Sequence, residues 1–138
     1  MALALTITLE KELPEAYADY TRKPSGKALA RESDRLDSAA ARHRVTPITS
    51  MLSESQKALI AQMIEEGFDP TRMRLPPELW FTAAEGLKTV RVLVEHVTAN
   101  LNDFKQPNPI LRDLKAVETL LMAADAAQIK FHFSKVSL

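Results

Sequence analysis

IKFHFSKVSL, Ile129 to Leu138, sets Ile129, Phe131 and Phe133 on one side of an extended chain and Lys130, His132 and Ser134 on the other. This alternation of period two marks a half-buried strand, because successive side chains leave opposite faces of the pleat. After Ser134 the phase changes to Val136 and Leu138, which predicts a bulge or the end of the strand there. The opposite end of the chain carries the same signal, with Leu3, Leu5, Ile7 and Leu9 alternating against Thr6, Thr8 and Glu10.

Between these strands the apolar period becomes helical. A first helix follows Ser25, read as its N-cap, and runs through Ala28, Leu29, Leu36, Ala40 and His43, with Arg42 and Arg44 near its C-terminus. Ser53-Glu54-Ser55-Gln56 has the capping-box form ahead of an apolar stripe of Leu59, Ile60, Met63 and Ile64, and Gly67-Phe68 suits a glycine C-cap. Thr82-Ala83-Ala84-Glu85 is a second capping box, followed by Leu87, Val90, Val94, Val97 and Leu101. Asn108-Pro109 predicts the start of a last helix bearing Ile110, Leu111, Leu114, Val117 and Leu121. Four helices passing alternately up and down return the last strand antiparallel to the first. The expected fold is therefore α+β: about four helices packed on a small antiparallel sheet of the N- and C-terminal strands, in a single domain over residues 1–138. A two-stranded sheet is marginal alone, so it needs backing by helices, extension by another chain, or both.

The totals narrow the function. Of the 138 residues 46% are apolar and 26% charged, which are globular values. Eighteen basic and eighteen acidic side chains cancel without forming blocks, so nothing favours nucleic acid or an anionic membrane as a partner. With no cysteine, thiol catalysis, disulfides and cysteine-based zinc sites are excluded. The N-terminus lacks the basic flank and continuous apolar core of a signal peptide, and no 18-residue apolar run exists, so a soluble, cytoplasmic protein is expected.

KPSGKALAR, Lys23 to Arg31, contains a Ser-Gly-Lys that invites comparison with a phosphate-binding loop. Such a loop needs an earlier glycine where Thr21 stands and a hydroxyl where Ala28 stands, and it follows a buried strand rather than the polar stretch ending at Pro24. A helix start is the better reading. His43, His96 and His132 fall on a helix end, a helix and a strand, and none has a second histidine at i+3 or i+4, so no metal and no cofactor is expected. No Gly-x-Ser-x-Gly elbow is present. The acidic pairs Asp34/Asp37 and Glu65/Glu66 read as solvated helix charges.

Asp69 to Leu79, with Pro70, Pro76 and Pro77, is the longest irregular stretch and runs into Leu79-Trp80-Phe81. Arg72, Arg74, Leu75, Leu79 and Trp80 are the candidate interaction residues. For Trp80 the preferred reading is core, closing over the helix that begins at Thr82. An anchor for a partner is the alternative, since interface centres favour Trp.

The blocks SGKALAR, SMLS (Ser50 to Ser53) and WFTAAEGLKTV (Trp80 to Val90) together resemble a group of small uncharacterised bacterial proteins. The resemblance implies a compact bacterial domain and assigns no activity and no site.

The leading expectation is a non-enzymatic protein-binding module, of the immunity or inhibitor type. Its expected partner is a protein, with a homodimer open as one way to extend the sheet. The alternative is a small-molecule-binding protein or weak hydrolase working through His132, Lys130 and groups on the helices.

Overall fold

The computed structural model describes residues 3–20, 25–54, 56–72, 74–75 and 77–137. Thr21, Pro24, Ser55, Pro76 and Leu138, named above, lie outside the described residues. Strand β1, Leu3–Leu9, pairs antiparallel with β2, Phe131–Ser137, as the alternation predicts. Between them come α1 (Lys27–Arg31), α2 (Ser33–Arg42), α3 (Gln56–Glu65), α4 (Ala83–Ala99) and α5 (Pro107–Ala126). The class is α+β, with four helices of seven residues or more.

The register is regular from Leu9 opposite Phe131 to Leu3 opposite Ser137, so the expected bulge at Ser134 is not there. The phase change has another cause. Val136 lies opposite Ala4, and together they form an apolar end to the face that carries Thr6, Thr8, His132 and Ser134. The other face presents Leu5, Ile7, Phe131 and Phe133, each at most 1% exposed, to Leu29, Leu36, Leu93, Leu114 and Leu121 of the helices. Each such side chain contributes about 1.5–3 kcal/mol by leaving water.

The extension that a two-stranded sheet needs comes from the chain itself. Phe81 exchanges both backbone hydrogen bonds with Phe131, at 2.8 and 2.9 Å, and the Ser53 N–H donates to the Phe133 carbonyl at 2.9 Å. On the β1 side the Leu5 N–H donates to the Gly26 carbonyl at 3.0 Å. Irregular segments thus take up the Leu5 N–H on the edge of β1 and the Phe131 and Phe133 groups on the edge of β2.

Gly26 also settles the Ser-Gly-Lys. Its φ is +74°, and a Cβ there would fall 1.9 Å from the Leu5 carbonyl oxygen, so only glycine lets the start of α1 lie against β1. Ser25 does not cap this helix, contrary to expectation. Its hydroxyl donates, at a long 3.4 Å, to the Asp113 carboxylate of α5, which also accepts from the backbone N–H groups of Ser25 and Gly26. Asp113 thus anchors the segment leading into α1 from across the core.

The first predicted helix is two, broken at Glu32. The break frees the buried Glu32 carboxylate to accept from the N–H groups of Lys105 (2.8 Å) and Gln106 (3.3 Å) at the start of α5. A carboxylate suits a helix N-terminus, where unpaired N–H groups and the dipole both attract it. That helix starts at Pro107 with Gln106 at its N-cap position, not at Asn108-Pro109. At α4 the capping box holds in one direction: Thr82 accepts from the Glu85 N–H at 3.2 Å, while the Glu85 carboxylate accepts from the Thr46 hydroxyl at 2.9 Å. α4 and α5 pack along each other through Leu87, Val90, Val97, Ile110, Val117 and Leu121 as an αα-hairpin.

Candidate functional site

The chain leaves the sheet at Leu52, which bridges Phe133, and returns at Phe81, which bridges Phe131. Everything between is an excursion pinned at both ends to the same edge of β2. Ser53 fastens its two legs: its N–H holds Phe133, and its hydroxyl accepts from the Leu79 N–H at 2.8 Å. Ser53 is thus a clasp rather than the reciprocal cap of α3. At the far end, Gly67 (φ +86°) closes α3 with the Phe68 N–H on the Met63 carbonyl at 2.8 Å and its own N–H on the Ile64 carbonyl at 3.1 Å, the expected glycine cap. Asp69 then accepts from the hydroxyl and N–H of Thr71, which hold its carboxyl below the ordinary range.

Among the described residues, none of this helix belongs to the core. Leu59, Ile60 and Met63 are half-buried, and Ile64 is 61% exposed. Phe68 and Leu79 follow at 55% and 51%. A cleft of about 430 Å³ runs between the legs, lined by Leu52, Leu59, Pro77 and Leu79 with Glu54 and Lys135 as its charged members. Of the residues singled out from the sequence, Arg72 is exposed and pairs with Asp69 at 3.6 Å, Arg74 is exposed, and Leu75 is half-buried. Leu79 lines the cleft, and the structure does not gather the five into one cluster.

Trp80 is placed differently from the core expectation. It is half-buried and lies over His132, ring centroids 4.7 Å apart and tilted by 44°. It lies on the sheet face that carries Thr6, Thr8, His132 and Ser134. His132 is 1% exposed and is held on both nitrogens. Nε2 donates to the Glu78 carboxylate at 2.7 Å, while Nδ1 stands 3.1 Å from the Phe133 carbonyl and 3.2 Å from the Ser134 hydroxyl. The Ser134 hydroxyl in turn shares a hydrogen bond with that of Thr8 at 3.0 Å. A carboxylate, an imidazole and two hydroxyls therefore form a line under the indole. Glu78 supplies a partner that spacing could not reveal, 54 residues from His132. Lys130 is exposed.

The other two histidines meet each other. His43, at the end of α2, and His96, in the last turn of α4, share a hydrogen bond from Nε2 to Nδ1 at 3.1 Å. Burial, and then the neighbouring His43 and Arg42, hold His96 below the ordinary imidazole range, against an opposite pull from Asp103. Among the described residues no group of three or more His, Cys, Asp or Glu side chains is placed to hold a metal ion. No helix of the described residues is long and apolar enough to cross a membrane. No protein family, curated protein or solved structure matches this chain.

Proposed function

We propose that this protein is a non-enzymatic protein-binding module, of the immunity or inhibitor kind that neutralises a toxin partner, and that it meets that partner through the excursion from Ser53 to Trp80. One observation carries the reading. Ile64, Phe68 and Leu79, three large apolar side chains, stand in water on a segment whose helix contributes no residue to the core among the described residues, while its ends are hydrogen-bonded to β2. Exposed apolar groups of this size, brought together against a partner, are the material of interaction sites. The exposed Arg72 and Arg74 lie on the same excursion and suit the polar rim that such contacts carry. Photo-crosslinking in the native cells tests this. A photoreactive side chain at position 64 or 79 gives a discrete adduct with one protein, and the same probe at Met122, exposed on α5, does not. Equal labelling from all three positions, or none from 64 and 79, overturns it.

The Glu78–His132–Ser134 line supports a second reading, a weak hydrolase or small-molecule binder. A hydroxyl beside an imidazole that a carboxylate orients is the arrangement of an activated nucleophile. Trp80 lies over the imidazole of this line, and Ser134 is partly exposed. Hydrolysis of an activated acyl ester that disappears in Ser134→Ala and persists in Thr8→Ala supports this reading; turnover unchanged in Ser134→Ala removes it.

A further inference from the structure

We infer that His43 and His96 form a two-imidazole site for a divalent transition metal of the zinc, nickel and copper class, which ties the end of α2 to the last turn of α4. The residues lie 53 positions apart, and the packing of α2 on α4 brings Nε2 of one within 3.1 Å of Nδ1 of the other. Two nitrogens bound at about 2.0–2.1 Å to one tetrahedral ion stand about 3.3–3.4 Å apart. The site is thus within a few tenths of an ångström of its ligating separation before any metal arrives. The rings meet edge-on at 76°, so they do not stack, and the two nitrogens face each other across the seam. The His96 ring also packs edge-on against Phe104 at a centroid distance of 6.2 Å, which limits its rotation. His43 is exposed, so it can turn and water can reach the remaining coordination positions.

Charge around the pair is mixed. Arg35, Arg42 and Asp103 line the same cleft as His96, the two guanidinium groups opposing a cation and the carboxylate favouring it. Imidazole nitrogen selects zinc, nickel and copper over magnesium or calcium, which take oxygen. No third protein ligand joins the pair among the described residues. The ion is therefore held by two imidazoles and water, open and exchangeable, unlike a closed four-ligand structural zinc. The ring that donates in the metal-free pair carries its proton on the facing nitrogen, so metal binding requires that proton to move through water to the ring's other nitrogen, where the accepting ring already carries its own.

Calorimetric titration of the intact protein with ZnCl2, NiCl2 and MgCl2 tests the site, alongside His43→Gln and His96→Gln. We expect one saturable equivalent of zinc or nickel, weakened about 10-fold or more in either variant, and no response to magnesium. Excess zinc should raise the Tm of the parent by about 3 °C or more and leave that of His43→Gln unmoved. His43 is exposed, so its variant keeps the fold. Absence of saturable zinc binding, or zinc binding unchanged in His43→Gln, overturns the assignment.

Discussion

Gly86 of α4 lies so close to the ring of Phe131 on β2 that a methyl group at position 86 would come within 2.4 Å of its Cζ. A Leu121 methyl stands 2.9 Å away on the other side, and both Phe131 and Leu121 are fully buried. Glycine inside a helix normally costs about 1 kcal/mol relative to alanine, so Gly86→Ala would stabilise an exposed helix. Here overpacking outweighs that gain. Gly86→Ala should lower stability by about 1–3 kcal/mol in urea unfolding, and adding Phe131→Leu should recover part of the loss. A Gly86→Ala protein as stable as the parent would refute the close approach of α4 to the sheet.

Trp80 shields a histidine instead of filling the core, so truncation acts in two ways. Trp80→Ala should cost about 2 kcal/mol, below the 3–5 kcal/mol of a fully buried aromatic, because only part of the ring is out of water. It should also open His132 to diethyl pyrocarbonate. In the parent only His43 and His96 should react within minutes, and in the variant all three should. Protection of His132 that survives the substitution would show that Glu78 and the strand, not the indole, keep reagent out.

Asp113 sets a pH dependence of definite sign. Burial pushes its carboxyl above the ordinary range against the hydrogen bonds from Ser25 and Gly26 and the nearby Arg112 charge, and its Oδ2 has no partner. A raised folded-state value means the native protein binds the proton more tightly than the unfolded chain. The contribution is full below the ordinary carboxylate range and is lost as pH rises through the folded value. Asp113→Asn, neutral at every pH, should therefore be more stable than the parent at pH 7 and lose that advantage as the pH falls toward 4. Parallel stability curves for the two proteins over this interval would count against a buried, unpaired charge.

The excursion should tolerate charge where the core would not. Ile64→Lys and Phe68→Ser replace exposed apolar groups and should leave the urea midpoint within about 0.5 kcal/mol of the parent. Leu114→Lys, in the core, should abolish cooperative unfolding. A loss above 2 kcal/mol in Ile64→Lys would mean that α3 packs inward, and the proposed contact surface would go with it.

Local rules made much of this fold legible. Alternation of period two identified both strands, Thr82 its cap and Gly67 its turn, because each depends on residues within a few positions. What escaped were the long-range substitutions for local chemistry. Glu32 interrupts a helix with neither glycine nor proline, because its carboxylate is needed 73 residues away at Lys105. Ser25, suited to cap its own helix, instead gives its hydroxyl to Asp113 across 88 residues. The same limit hid both histidine clusters: Glu78 with His132, and His43 with His96, are contacts that only the packed helices and sheet create. The aromatic placement failed for a related reason, since a Trp beside a helix start gives no sign of which sheet face it will cover.

The pairing of the terminal strands also fixes when the molecule can fold. Thr8 finds Ser134 across 126 residues, and Phe131 and Phe133 are the largest side chains buried in the interior. A ribosome that has reached Gln128 has delivered every helix but neither phenylalanine, so the inner face of β1 and Gly86 still lack what they pack against. Folding must follow the synthesis of β2 instead of accompanying it. Until then the nascent chain exposes the apolar helix faces that Phe131 and Phe133 cover in the finished fold.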